Sequence, residues 1–203
     1  VIVLVRHGEA QGAAGRAVGW TDLPLSDAGR THAAELAAEL GRIHWAGLYS
    51  SPLKRARDTL APLAAAAGIT SALLPGLTEI SLGQWDGLAW DEVKARFPEA
   101  YAARGRDLAN FRPPGGESFA DLSVRAGAAL DDLAAGPLPV LAATHAGVVR
   151  VLLARVLGLP LANIFSLSPL PGRCTLFAPH PVGLRLAGFN LSPADAARFM
   201  PRE

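Results

Sequence analysis

The chain opens on Val1-Ile2-Val3-Leu4-Val5, an unbroken apolar and largely β-branched run. A strand with one wet face alternates apolar and polar residues; a run without alternation suits a strand covered on both faces. That requirement calls for a sheet with helices on each side. The following segments supply them in alternation. Ser26 is placed to cap a helix carrying Ala33, Leu36, Ala37 and Leu40 on one face, ending at Gly41. Leu48 to Ser50 reads as a second strand. Ser51-Pro52 reads as an N-cap with proline at the first helical position, and Leu53, Ala56, Leu60, Ala64 and Ala67 continue that helix to Gly68, with Pro62 as a potential kink.

Ile69 to Leu74 is expected as a third strand. Residues 75–116 lack a sustained period and hold Trp85, Trp90, Phe97, Tyr101 and Phe111 among Gly and Pro breaks, as expected for short helices and loops inserted like a cap over one end of the sheet. Ser118 or a neighbour starts a helix with Phe119, Leu122, Ala126, Leu130 and Leu133 on one face. Leu138 to Thr144 is a fourth strand and Ala146 to Leu157 the next helix, with Cys174 to Ala178 and Leu184 to Asn190 as final strands. The expected fold is an α/β, three-layer α/β/α sandwich around a mostly parallel sheet, with residues 1–203 as a single domain.

Composition narrows the function classes. Half of the 203 residues are apolar, 18% are charged and the formal net charge is +1, which argues against nucleic acid or an acidic membrane as partner. No apolar run has the length of a membrane span. Cys174 is the only cysteine, which excludes an internal disulfide and fits a reducing compartment. The opening run has neither the length nor the basic lead-in of a signal peptide, so the cytoplasm is the expected location. His32, His44 and His180 have no partners at metal-ligand spacing and read as surface residues; no metal and no cofactor are expected. Trp85 and Trp90 read as local core or cleft wall. Lys54 and Lys94 are the only lysines, so the positive charge is almost all guanidinium, which favours fixed bidentate contacts to phosphate or carboxylate.

The chemistry concentrates just beyond three strands. Arg6-His7-Gly8-Glu9 follows the first, Ser51-Pro52-Leu53-Lys54-Arg55 the second, and Thr144-His145-Ala146-Gly147 the fourth. In an open parallel sheet such segments gather on one edge, where ligands bind. Two arginines, Arg6 and Arg55, supply paired donors for a phosphate dianion. His145 adds a donor, beside the exposed N–H groups at Ala146. His7, if neutral, carries a lone pair able to attack phosphorus, and neighbouring arginines favour that neutral form. Its other ring nitrogen needs a partner, for which a carbonyl near Gly8 is suited. Glu79, amid Gly83, Trp85 and Gly87, is the expected proton donor to the leaving alkoxide, with burial favouring its protonated form. Glu9, Asp22 and Glu117 are its rivals. Gln11, Arg16 and Trp20 are further candidates for substrate contact from loop 8–24, against the plainer reading of solvated loop.

At these residues the chain resembles the histidine phosphatase superfamily, which includes the cofactor-dependent phosphoglycerate mutases. Five ordered blocks carry the resemblance: Leu4-Val5-Arg6-His7-Gly8-Glu9, Gly19-Trp20-Thr21-Asp22-Leu23-Pro24-Leu25-Ser26, Ser50-Ser51-Pro52-Leu53-Lys54-Arg55-Ala56, Glu79-Ile80 with Gly83-Gln84-Trp85-Asp86-Gly87, and Thr144 to Arg150. The resemblance implies a phosphohistidine at His7, phosphate contacts from Arg6, Arg55 and His145, Glu79 as proton donor, and catalysis without a metal. Pro113-Pro114-Gly115-Gly116-Glu117-Ser118 and the compact length look like the α-ribazole phosphatase branch, with α-ribazole 5′-phosphate as candidate substrate and cobalamin synthesis as its setting. Many members carry a hydroxyl residue and an asparagine where Ala10 and Ala13 stand here. Hydrolysis of a small phosphomonoester is therefore the expected reaction. Two alternatives stand beside it: a phosphoglycerate mutase, and a non-catalytic phosphate-ligand binding protein.

Overall fold

The computed structural model describes residues 1–200. β1 (Ile2–Arg6), β2 (Gly47–Ser50), β3 (Ala72–Leu73), β4 (Val140–Thr144), β5 (Cys174–His180) and β6 (Gly183–Leu191) form one sheet in the order β3-β2-β4-β1-β5-β6. The pairings β3–β2, β2–β4 and β4–β1 are parallel; β5 runs antiparallel to β1, and β6 to β5. The sheet is thus mixed but mostly parallel, with helices on both faces, as the opening run requires.

The alternation of β1 explains that run. Ile2 and Leu4 pack on one side with α5 (Phe119–Ala135) and α6 (Ala146–Leu157). Val3 and Val5 pack on the other with α1 (Asp27–Leu40) and α2 (Lys54–Ala67). β4 divides the same way, Val140 and Ala142 against Leu141 and Ala143. No residue of the inner β1 positions meets water, so none needs to be polar. A short α7 (Pro193–Ala197), capped by Ser192, adds to the α1 side.

Caps set the helix ends. The Ser26 hydroxyl accepts the Gly29 N–H at the start of α1. Ser118 and Asp121 form a reciprocal capping box at α5. α2 departs from expectation: it begins at Lys54 with Leu53 as N-cap, and Ser51 does not cap it. Its first N–H, that of Lys54, is taken instead by the carboxylate of Asp22 at 2.7 Å. The helix runs unbroken through Pro62. β3 is also shorter than the expected Ile69–Leu74. Gly68 closes α2 in a left-handed conformation, and the Ile69 N–H bonds back to Ala64, so these residues belong to the helix end rather than to the sheet.

Residues 75–116 contain 3₁₀ turns at Pro75–Leu77 and Gly83–Trp85, then α3 (Trp90–Arg96) and α4 (Pro98–Arg106). They gather around the fully buried Trp85, whose ring is stacked on Phe111 at 5.4 Å and flanked by Trp90, Phe97 and Tyr101. This aromatic cluster holds together elements too short to be stable alone.

Candidate active site

β4 lies between β2 and β1, so the residues leaving these three strands are neighbours. The ladders continue one step past the strands: the His7 N–H donates to Thr144 O, and the Ser51 N–H to Ala143 O. His7 and His145 therefore stand side by side, ring centroids 5.1 Å apart. Arg55, in the first turn of α2, reaches the same point; its Nε–H donates to His7 Nε2 at 3.3 Å.

His7 is 7% exposed. Its Nδ1 lies 2.6 Å from Gly8 O. A carbonyl only accepts, so Nδ1 carries the proton and Nε2 keeps its lone pair. Burial, with Arg55 and Arg6 nearby, pushes the imidazole down to about 3 despite the Gly8 bond. Neutral His7 is thus the resting form across the ordinary pH range. Gly8 is held in turn: its N–H donates to Thr59 Oγ1, whose hydroxyl donates to Arg55 O. A side chain at Gly8 would meet Gly29 O at 2.5 Å, so only glycine fits here.

The guanidinium of Arg55, 1% exposed, donates to Thr21 O and Gly19 O as well as to His7. It holds the loop and faces the histidine at once. Arg6 donates to Pro169 O, while its Nε–H is buried without a partner. His145 is fully buried and adds nothing to the cleft surface, although Ala146 and Gly147 line it. Ser51 Oγ accepts the Leu53 N–H and lies 2.7 Å from His145 Nε2. The contact suits either tautomer of His145, and Nδ1 is the buried ring nitrogen without a partner. Burial, followed by coupling to the neighbouring His7 ring and the charges of Arg55 and Arg6, keeps His145 neutral. Two buried nitrogens, Arg6 Nε and His145 Nδ1, are therefore left without partners beside groups that suit an oxyanion.

Glu79 reaches this site from the loop after Thr78 and is 7% exposed. Oε1 accepts its neighbour's amide, that of Ile80, and Oε2 accepts the Gly147 N–H at 3.2 Å. Its main chain is anchored too: Glu79 O accepts from Trp20 Nε1 and from Arg125, which also binds Gly76 O and Thr78 O. The rival carboxylates are committed to other partners. Asp22 caps α2, and Glu9 accepts from the Ser26 hydroxyl. Burial would raise Glu117, but hydrogen bonds from Arg125 and the Ser81 N–H outweigh it and hold the carboxyl below its usual range.

The loop candidates divide. Arg16 lines the cleft, as do Ala10 and Ala13. Gln11 is exposed and outside the lining. Trp20 is also outside it; its indole is committed to Glu79 O, so it steadies the loop that carries Glu79. Asp86 clamps the adjoining segment by accepting the N–H groups of Gly19, Trp20 and Thr21 and the Thr21 hydroxyl. Sequence reasoning overlooked Thr59, Ser51 and Asp86 as positioning residues. Thr59 is on the buried face of α2 four residues after Arg55, a polar residue at a core position, and that was its one signal. Among the other histidines, His44 and His180 are exposed, but His32 is partly buried, with its side chain against Gly172. Among the described residues no group of three or more His, Cys, Asp or Glu side chains is placed to hold a metal, and no helix is long and apolar enough to cross a membrane.

Comparison with known proteins gives the family and the fold. The family model for the histidine phosphatase superfamily (branch 1) matches residues 2–192. Glucosyl-3-phosphoglycerate phosphatase from Mycolicibacterium vanbaalenii is 36% identical over 172 residues, covering 80% of this chain and 76% of its own. Metal-independent phosphoserine phosphatase from Arabidopsis thaliana is 37% identical over 161 residues, covering 76% and 68%. The crystal structure of α-ribazole phosphatase from Shigella flexneri superposes with a TM-score of 0.87 over 100% of this chain and 98% of that one, at 24% identity, a likeness of fold.

Proposed function

Because the chain belongs to the histidine phosphatase superfamily, we propose that it is a phosphomonoesterase whose nucleophile is His7. The observation that carries this reading is the state of His7: neutral, with Nδ1 on Gly8 O and the lone pair of Nε2 facing Arg55. Mere binding of phosphate needs no such lone pair.

The reaction follows from the groups in place. A phosphate dianion enters beside His7 between Arg6 and Arg55, with His145 packed behind them. The Arg55 Nε–H turns from His7 Nε2 to a phosphate oxygen, the freed lone pair attacks phosphorus, a P–N bond forms and the P–O bond to the alcohol breaks. The departing alkoxide takes its proton through the Glu79 carboxyl. Gly8 O stabilises the positive charge that develops on the ring by holding the Nδ1 proton. Water then attacks the phosphohistidine and loses a proton to Glu79, and the P–N bond breaks to release phosphate and neutral His7. The arginines supply charge stabilisation throughout, so no metal or cofactor enters the scheme.

The alcohol is a further proposal. A relative of this chain is named for glucosyl-3-phosphoglycerate and another for phosphoserine, while α-ribazole phosphate is the candidate suggested by the compact length and the Pro113–Ser118 segment. Ala10 and Ala13 give the cleft no polar side chains to retain a transferred phosphoryl group, which favours hydrolysis over mutase chemistry. The test is phosphate release from a panel of these three esters in the presence of chelator. The reading predicts turnover of at least one, abolished in His7→Ala; undiminished turnover by that variant would remove His7 as nucleophile.

A further inference from the structure

Beyond the phosphoryl site, the cleft is walled by apolar and aromatic side chains and by guanidinium groups. Arg16, Arg104 and Arg150 line it in addition to Arg6 and Arg55, against only two carboxylates, Glu79 and Glu117. Glu117 is already paired with Arg125. A phosphate dianion held by Arg6 and Arg55 therefore leaves positive charge over in the outer cleft.

Phe165, in the 3₁₀ segment Leu161–Ser166, organises that charge. The guanidinium of Arg150 stands 4.8 Å from its ring centre, and that of Arg104 stands 5.5 Å from it and 5.5 Å from the Trp90 ring. Aromatic faces hold the guanidinium planes while leaving their N–H edges free. Arg150 donates Nε–H to Leu167 O, and neither arginine forms an ion pair among the described residues. Burial lowers the pKa of both, the mark of cations partly stripped of water. The lining holds no Ser, Thr, Asn or Gln side chain to serve a polyol.

We infer that Arg104 and Arg150, set on Phe165, select phosphomonoesters whose alcohol half carries a second anionic group, carboxylate or phosphate, on an apolar or aromatic body. This rests on the reading of His7, Arg6 and Arg55 as the phosphoryl site. It disfavours α-ribazole phosphate, whose alcohol half is uncharged, relative to a charged ester of similar bulk.

Binding separates this claim from catalysis. The probes are para-carboxybenzylphosphonate, the corresponding bisphosphonate, and the neutral para-carbamoylbenzylphosphonate, titrated calorimetrically against the intact protein and against Arg104→Gln and Arg150→Gln. The expected result is roughly tenfold tighter binding of at least one charged probe over the amide, a ratio that falls toward one in at least one variant. Preference for the carboxylate alone, the bisphosphonate alone or both identifies the anion. Equal affinity for all three probes, or a preference untouched in both variants, overturns the inference. Hydrolysis of the matching benzyl phosphates is read separately: selective binding without turnover defeats the phosphatase reading and leaves the anion subsite standing, and turnover without selectivity does the reverse.

Discussion

The carboxylate of Glu79 lies so close to the Gly147 backbone that a methyl group on Gly147 would sit 2.3 Å from Glu79 Oε1. The same glycine donates its N–H to Oε2. The Glu79 carboxylate is thus located by a residue at the start of α6, and only glycine permits the approach.

Gly147→Ala is therefore expected to displace Glu79 while leaving the buried core intact. For alkyl phosphates, whose leaving group needs a proton, kcat is predicted to fall roughly 100-fold. For para-nitrophenyl phosphate the loss is smaller. Glu79→Gln should show the same split. Steady-state kinetics on both substrate types checks this; equal losses on both would deny Glu79 the role of acid.

Thr59→Val keeps the shape of the side chain but removes the group that links the Gly8 N–H to Arg55 O. A buried N–H is left without a partner, a cost of about 1–3 kcal/mol. Urea denaturation measures it. Activity is expected to fall as well, because Gly8 O orients His7. Unchanged stability and activity would show that the link is dispensable.

How far these relations could be read beforehand depends on their range. The buried β1 run announced a two-sided sheet, and three strand ends bearing Arg6-His7, Arg55 and His145 announced where chemistry collects. Those signals are local. The cap of α2 was misplaced on Ser51 because the true acceptor, Asp22, is distant in sequence and arrives through the fold. Ser51 was free for another task, holding His145 Nε2. Ile69–Ser71 looked like strand because Ile and Thr favour it, but the left-handed Gly68 commits the chain to a helix end. Gln11 and Trp20 occur in a loop dominated by Gly and Ala with scattered polar side chains, and only packing decides which side chains face the cleft; there it selected Arg16.

Asp86→Ala removes the clamp on Gly19, Trp20 and Thr21. Arg55 still binds two carbonyls of that segment, so the loop should loosen rather than detach. Limited proteolysis is expected to cut within residues 8–24 faster in the variant. An identical cleavage rate would show that the Arg55 contacts suffice alone.

Acid should destabilise the fold in a defined window. His7 titrates near 3 in the folded protein and near 6.5 when unfolded. Between these values the unfolded chain binds more protons, so stability falls as pH falls from about 6.5 toward 3. The slope from His7 alone approaches about 1.4 kcal/mol per pH unit. Urea midpoints between pH 7 and 4 should fall more steeply in the intact protein than in His7→Asn. Parallel profiles would mean that His7 is not buried as the neutral base.

The central claim is that His7 Nε2 becomes covalently phosphorylated. Mixing the protein with excess turning-over substrate, quenching with denaturant at alkaline pH and mapping peptides by mass spectrometry tests it directly. The account predicts one acid-labile phosphoryl group on the peptide containing His7, absent from His7→Ala. Steady turnover with no phosphorylated His7, or with the phosphoryl group on another residue, would contradict it.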